Sequence, residues 1–233
     1  MYEDRDHAAH DPRGQPRGWP GGGPHFPSRG HGGPCPGRRR AAAQIFSGRE
    51  PGLTGRQSAN SKREDSDPMS VNDVIMDAMI ENNVGFVTTV PCKQLAGVIE
   101  KIEQSDKMIH VPSNREDEGM GLCAGAFMGG RRPAIIMQNT AIGVTINSLA
   151  TLIQYYRIPL PMLISYRGEI GEPVACQVEM AVHTKALLDQ LCIPTYHFHK
   201  EEDADELPAI LNHAYVARKP VAVLMDASFW KGY

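Results

Sequence analysis

From residue 71 onward, apolar and polar positions follow two rhythms that take turns along the chain. Val71, Val74, Ile75, Ala78 and Met79 recur at the spacing that lines one face of a helix, and Asn82-Asn83 predicts its end. Ser70 stands where a helix cap is expected. Residues 85–90 are rich in β-branched side chains and stop at Pro91, the pattern of a strand. Helical spacing returns over 93–104, a short strand is predicted at 108–111, and a helix of small residues over 115–128. Further strands are predicted at 133–138, 160–165, 195–199 and 221–225, separated by helices at 145–156, 179–191 and 204–217. Apolar strands joined by helices predict an α/β fold of three layers, α/β/α, around a mostly parallel sheet.

The first 68 residues break this rhythm. They hold 12 of the 23 Gly and 9 of the 18 Pro, with 11 of the 24 Lys and Arg against 8 of the 27 Asp and Glu. Such a segment buries too little apolar surface to offset its ordering entropy, so residues 1–68 are expected to be a disordered extension. One reading makes it a basic arm for an acidic partner. The other makes it dispensable, with translation starting at Met69 and one domain over 69–233. Aromatic residues do not interleave its arginines, which favours the second reading and no nucleic-acid partner.

No apolar run reaches the length of a signal peptide core or of a membrane span. The five cysteines are dispersed, without CxxC or metal-ligand spacing, which predicts a reducing cytoplasm and no metal site in this chain.

In an open parallel sheet, ligands collect beyond the carboxyl ends of the strands. Four segments qualify: 91–93, 113–116, 138–140 and 166–169. There is no GxGxxG after the first strand, and no GxxxxGK[ST], HExxH or GxSxG, so dinucleotide, nucleotide and hydrolase readings lose their usual support. The densest polar run is Asn114-Arg115-Glu116-Asp117-Glu118-Gly119. It reads as a helix start, with Ser113 or Asn114 as cap and acids in the first turn. It also reads as a site in which one carboxylate turns inward, beside Gly119, Gly121, Ala124, Gly125 and Ala126, over which a backbone or flat ligand could approach closely. Asp117 and Glu118, rotated by about 100° and 200° from Glu116, cannot share its direction.

Glu116, followed by Gly125-Ala126-Phe127 and Gly129-Gly130-Arg131-Arg132-Pro133-Ala134, resembles the pyrimidine-binding domain of thiamine diphosphate enzymes. The run 137–143, Met-Gln-Asn-Thr-Ala-Ile-Gly, and Ile164-Ser165-Tyr166-Arg167-Gly168-Glu169 resemble segments of the sulfopyruvate and phosphonopyruvate decarboxylases. Thr140-Ala141 stands where that family usually has Ser-Gly, and Val144 where it often has Asn. The Arg115-Glu116-Asp117-Glu118-Gly119 form and an unfused chain point to the sulfopyruvate decarboxylase alpha subunits.

The resemblance implies a carboxy-lyase subunit turning 3-sulfopyruvate into sulfoacetaldehyde and CO2 in coenzyme M synthesis. A phosphonopyruvate or other 2-oxoacid enzyme is the neighbouring reading, and a non-catalytic assembly partner is a third. Glu116 is then the catalytic carboxyl, hydrogen-bonded to the pyrimidine and favouring its imino tautomer. Gln138, Asn139 and Gly143 join Glu116 in binding thiamine diphosphate.

A sulfonate-bearing acid needs cationic partners. Arg167 is the first candidate, unless it pairs with Glu169 or Glu172, and Arg115, His110 and His183 follow. No segment resembles a magnesium–diphosphate loop. Mg2+ is therefore expected to be held by a partner beta subunit in a hetero-oligomer, and this chain alone to bind cofactor weakly. A chain starting at Met69 is expected to keep the full chain's melting temperature and its activity with the partner. A large fall in either would restore a role for residues 1–68.

Overall fold

The computed structural model describes residues 70–230, and the expected extension, 1–68, lies outside them. Helix α1 (Val71–Glu81) begins as predicted at Ser70, whose Oγ accepts the Asp73 amide at 3.3 Å and donates to the Asp73 carboxylate at 2.6 Å. It ends where Asn83 turns left-handed, φ 54°, a conformation asparagine tolerates better than most residues. There follow β1 (Val84–Thr89), α2 (Ala96–Glu103), β2 (Ile109–Pro112), α3 (Glu116–Met128), β3 (Arg132–Gln138) and α4 (Ile142–Ser148). The chain continues through β4 (Leu160–Ser165), α5 (Ala175–Gln190), β5 (Thr195–Phe198), α6 (Leu207–Ala217) and β6 (Pro220–Met225).

Two departures from the predicted elements are informative. The helices expected at 93–104 and 204–217 open with 3-10 turns, Lys93–Leu95 and Glu201–Glu206. The helix expected at 145–156 starts earlier, at Ile142, and passes into a π-helical stretch, Leu149–Gln154. Apolar spacing does not separate α from π winding, because both bury Leu149 and Ile153.

The six strands are parallel, in the order β2-β1-β3-β4-β6-β5. Alternation along each strand builds two cores. Ala134, Ile136, Leu163, Val221 and Val223 pack under α1, α2 and α6, while Ile135, Met137, Met162, Ile164 and Leu224 pack under α3, α4 and α5. Each fully buried side chain of this size stabilises the fold by about 1.5–3 kcal/mol. The three layers expected from the pattern are therefore present.

The segment after β4 is tied down by polar contacts. Glu172 accepts from Arg167 Nε at 2.6 Å and also from its Nη2, and it takes the amides of Gly168 and Val174 at 3.3 and 3.1 Å. Both side chains of the pair are largely shielded, 16% exposed for Arg167 and 6% for Glu172. Gly168 has φ 99°, and a Cβ there would stand 2.3 Å from the Gln177 carbonyl, so this turn accepts only glycine without displacing α5.

Gly168→Ala is accordingly expected to cost about 2–5 kcal/mol, from backbone strain plus the clash with α5. Gly171→Ala, at φ 96° in open space, should cost only the strain, about 1–2 kcal/mol. Denaturant unfolding of the two variants compares them, and equal losses would rule out the close approach. The Arg167 guanidinium holds the Glu172 carboxyl below its ordinary value of 4.5. A carboxyl lowered on folding stabilises above that ordinary value and loses its contribution as pH falls below it. The wild-type melting temperature should therefore fall more steeply below pH 4.5 than that of Glu172→Gln, and parallel curves would remove the pair from the account.

Candidate active site

The carboxyl edge of the sheet carries a row of buried polar side chains. Thr88 and Thr89 end β1, Ser113 follows β2, Asn139 follows β3, Ser165 ends β4 and Asp226 follows β6. The strand interiors behind them are almost wholly apolar. Buried polar groups persist only where something partners them, so such a row marks where the fold has been built for more than packing.

Glu116 is the first residue of α3 and is half-buried. It shares a helix face with Gly119, Met120 and Cys123, all buried against the sheet. A Cβ on Gly119 would stand 3.0 Å from Ile135 and 3.2 Å from Thr88, so this glycine sets how closely α3 lies on β1 and β3. The Glu116 carboxylate makes no hydrogen bond with another described residue. Its neighbours are satisfied: Arg115 pairs with Asp117 at 3.0 and 3.1 Å, and Glu118 accepts the Asn114 amide at 3.2 Å.

The expected cap is corrected. Arg115, not Ser113 or Asn114, occupies the cap position, and no side chain caps there. Ser113 is instead drawn inward, its amide on the Thr89 carbonyl and its hydroxyl near Thr88. The small-residue stripe divides as well. Gly119 is spent inside this chain, while Gly121 and Gly125 face open space.

The chain order reverses between β1 and β3, the switch point at which open sheets take ligands. Cys92, just past β1, lies 3.4 Å from Gln138 Oε1 and 3.2 Å from Ser165 Oγ, joining the ends of β1, β3 and β4. Gln138 donates to Thr140 at 2.8 Å and to Gln177 at 2.7 Å. Asn139 is fully buried: it donates to the Arg167 carbonyl and to Thr184 and accepts the Arg167 amide at 3.1 Å. Its side chain thus joins two loops, with both of its N–H donors spent on them. Gly143 is exposed in α4 beside Met180.

The cation candidates separate. Arg167 sits in this network, held by Glu172, one of the two pairings foreseen, though shielded and not on the open surface. Arg115 is exposed and bound to Asp117. His110 contacts Thr89 Oγ1 at 2.9 Å, and burial lowers its pKa, which makes it a poor anion partner. His183 lies on the exposed side of α5, outside the network. Cys92, Ser165, Glu172 and Gln177 were not foreseen as site residues. Position after a strand was the one signal for Cys92, and nothing local marks Gln177, which arrives from α5.

A profile of the family described as thiamine pyrophosphate enzyme, N-terminal TPP binding domain, matches residues 69–168. The chain is 36% identical over 170 residues to the sulfopyruvate decarboxylase subunit alpha of Methanococcus maripaludis, covering 70% of this chain and 98% of that one. It is 37% identical over 158 residues to the corresponding subunit of Methanocaldococcus jannaschii, covering 67% and 94%. In fold, it superposes on benzoylformate decarboxylase from Polynucleobacter necessarius with a TM-score of 0.54 at 16% identity, covering 70% of this chain and 31% of that one. With a parallel sheet of this order, a glutamate heading α3 and near end-to-end similarity to those subunits, the chain belongs to the family of sulfopyruvate decarboxylase alpha subunits.

Proposed function

We propose that this chain, together with a beta subunit, decarboxylates 3-sulfopyruvate to sulfoacetaldehyde and CO2. The observation that carries the reading is Glu116, a half-buried carboxylate at the edge of the sheet with no hydrogen-bond partner among the described residues. The donor set fits half of a thiamine diphosphate site. It offers a carboxyl for a ring nitrogen, the close-packed Gly119 beneath it and the outward Gly121 and Gly125 for a partner surface. No segment of the sequence resembles a magnesium–diphosphate loop, and among the described residues no cluster of oxygen ligands suits that group, so we assign that half to the beta subunit. Thiamine diphosphate, when bound, supplies the nucleophilic carbon and the electron sink for loss of CO2.

The residues of this chain then do three things. Glu116 would hold a hydrogen bond to a ring nitrogen of the pyrimidine, the contact that favours its imino tautomer. Gln138, fixed by Cys92, Thr140 and Gln177, and Gly143 line the wall at the switch point, with Asn139 holding that wall's shape from behind. Arg167 presents to the substrate anion the N–H groups that Glu172 leaves.

The test is an assay of the co-expressed pair against sulfopyruvate, phosphonopyruvate and pyruvate. Sulfopyruvate is expected to be the preferred acid. Glu116→Gln should assemble and melt as wild type but lose about 100-fold or more in turnover, while the matched Glu118→Gln stays within about twofold. Preserved turnover in Glu116→Gln would defeat the mechanism, and preference for another acid would defeat the substrate.

A further inference from the structure

We propose that His197, His199 and Asp226 form a site for one zinc-class divalent metal ion at the carboxyl edge of β5 and β6. The site is independent of Glu116: the strand order puts four to five strand spacings, roughly 20 Å, between them.

Strand register brings the three together. β5 pairs with β6 so that His197 lies opposite Leu224 and Phe198 opposite Met225, which sets His199 opposite Asp226 one step further on. The Asp226 amide donates to the Phe198 carbonyl at 3.2 Å, continuing the ladder. The two-residue period then puts His197, His199 and Asp226 on one face, while Phe198 and Met225 turn into the opposite core. Their ligand atoms, one imidazole nitrogen from each histidine and a carboxylate oxygen, all lie within 4.8 Å of one another.

The carboxylate is prepared for a ligand. Asp226 is almost wholly buried, and its Oδ1 is held by Ser228 Oγ at 2.6 Å and by the amides of Ser228 and Phe229 at 3.0 and 3.1 Å. That leaves Oδ2 facing the two imidazoles, touching His199 Nδ1 and standing 3.7 Å from His197 Nε2. A gap of 3.7 Å is too long for a hydrogen bond, and His197 Nε2 is a buried nitrogen with no hydrogen-bond partner. The Tyr166 ring packs edge-on against His197 at 5.0 Å and is itself anchored by its hydroxyl on the Ala181 carbonyl at 3.0 Å, so the imidazole rests against a fixed ring.

An ion answers what hydrogen bonds leave unmet. A tetrahedral zinc-class ion with bonds of about 2.0–2.1 Å spaces its ligand atoms roughly 3.3 Å apart, close to the His197–Asp226 separation. Binding would exchange the His199–Asp226 contact for two metal bonds and give His197 Nε2 a partner. Two imidazoles select this class over calcium or magnesium, which take oxygens. A water would complete the coordination.

The full chain, stripped with chelator, is titrated with Zn2+ against a chromogenic chelator and with Co2+ by visible absorption. One ion per chain, Co2+ bands of tetrahedral intensity and a higher melting temperature are expected. His197→Ala and His199→Ala should each weaken Zn2+ binding by at least about 100-fold, and Ser228→Ala by about 10-fold through the freed carboxylate. His199 is 60% exposed, so that variant tests the site without a burden on the core. No uptake, or uptake unchanged in both histidine variants because other residues hold the ion, would overturn the proposal.

Discussion

Asn139 and Glu172 together settle the path of the chain after β4, and the rest of the carboxyl edge follows from that path. Asn139 grips the backbone of Arg167 on both its amide and its carbonyl, while Glu172 takes the Arg167 guanidinium and two further amides. The loop is therefore closed on itself by charge-assisted bonds largely shielded from water, where such bonds are strong and where losing one partner is costly. Gly168 lets the turn pass under α5, and α5 in turn brings Gln177 to Gln138 and Thr184 to Asn139. Remove the tie, and the wall at the β1/β3 switch point loses its support from behind.

Against that rigid wall, Glu116 is the contrast. The side chains of its neighbours Arg115, Asp117 and Glu118 are engaged with one another or with nearby amides, and the Glu116 side chain alone in this first turn has no hydrogen-bonded partner among the described residues. Gly119 holds α3 tight to the sheet beneath it, and Gly121 and Gly125 leave the other side smooth and open. A carboxylate left unpartnered at a strand end is what the role proposed for Glu116 requires.

The two ends of the sheet edge put one rule to different uses. In a parallel sheet every strand delivers its last side chains to the same edge, so polar residues there can be grouped without disturbing the apolar strand interiors. At the β2-β1-β3-β4 end this groups Cys92, Gln138 and Ser165, with Glu116 heading α3 after β2. At the β6-β5 end it groups two histidines and an aspartate, through register alone.

Periodicity and composition were enough for the α/β class, the six strands, the boundaries of β4 and the Ser70 cap, because those depend on local spacing and local hydrogen bonds. Position after a strand, with the family resemblance, was enough to single out Glu116, Gln138, Asn139 and Arg167. The tertiary structure decided what those residues do with their side chains. It buried Asn139 as a tie, gave Arg167 to Glu172 out of two acidic neighbours, moved the α3 cap from Ser113 or Asn114 to Arg115, and wound residues 149–154 as π. It also joined His197 and His199 to Asp226, 29 and 27 residues away, a grouping that the spacing of the cysteines had not suggested. Each of these turns on which distant segment arrives at a given strand end, and strand order and register, which determine that, are set by packing across the whole sheet and leave no mark in any local stretch of sequence.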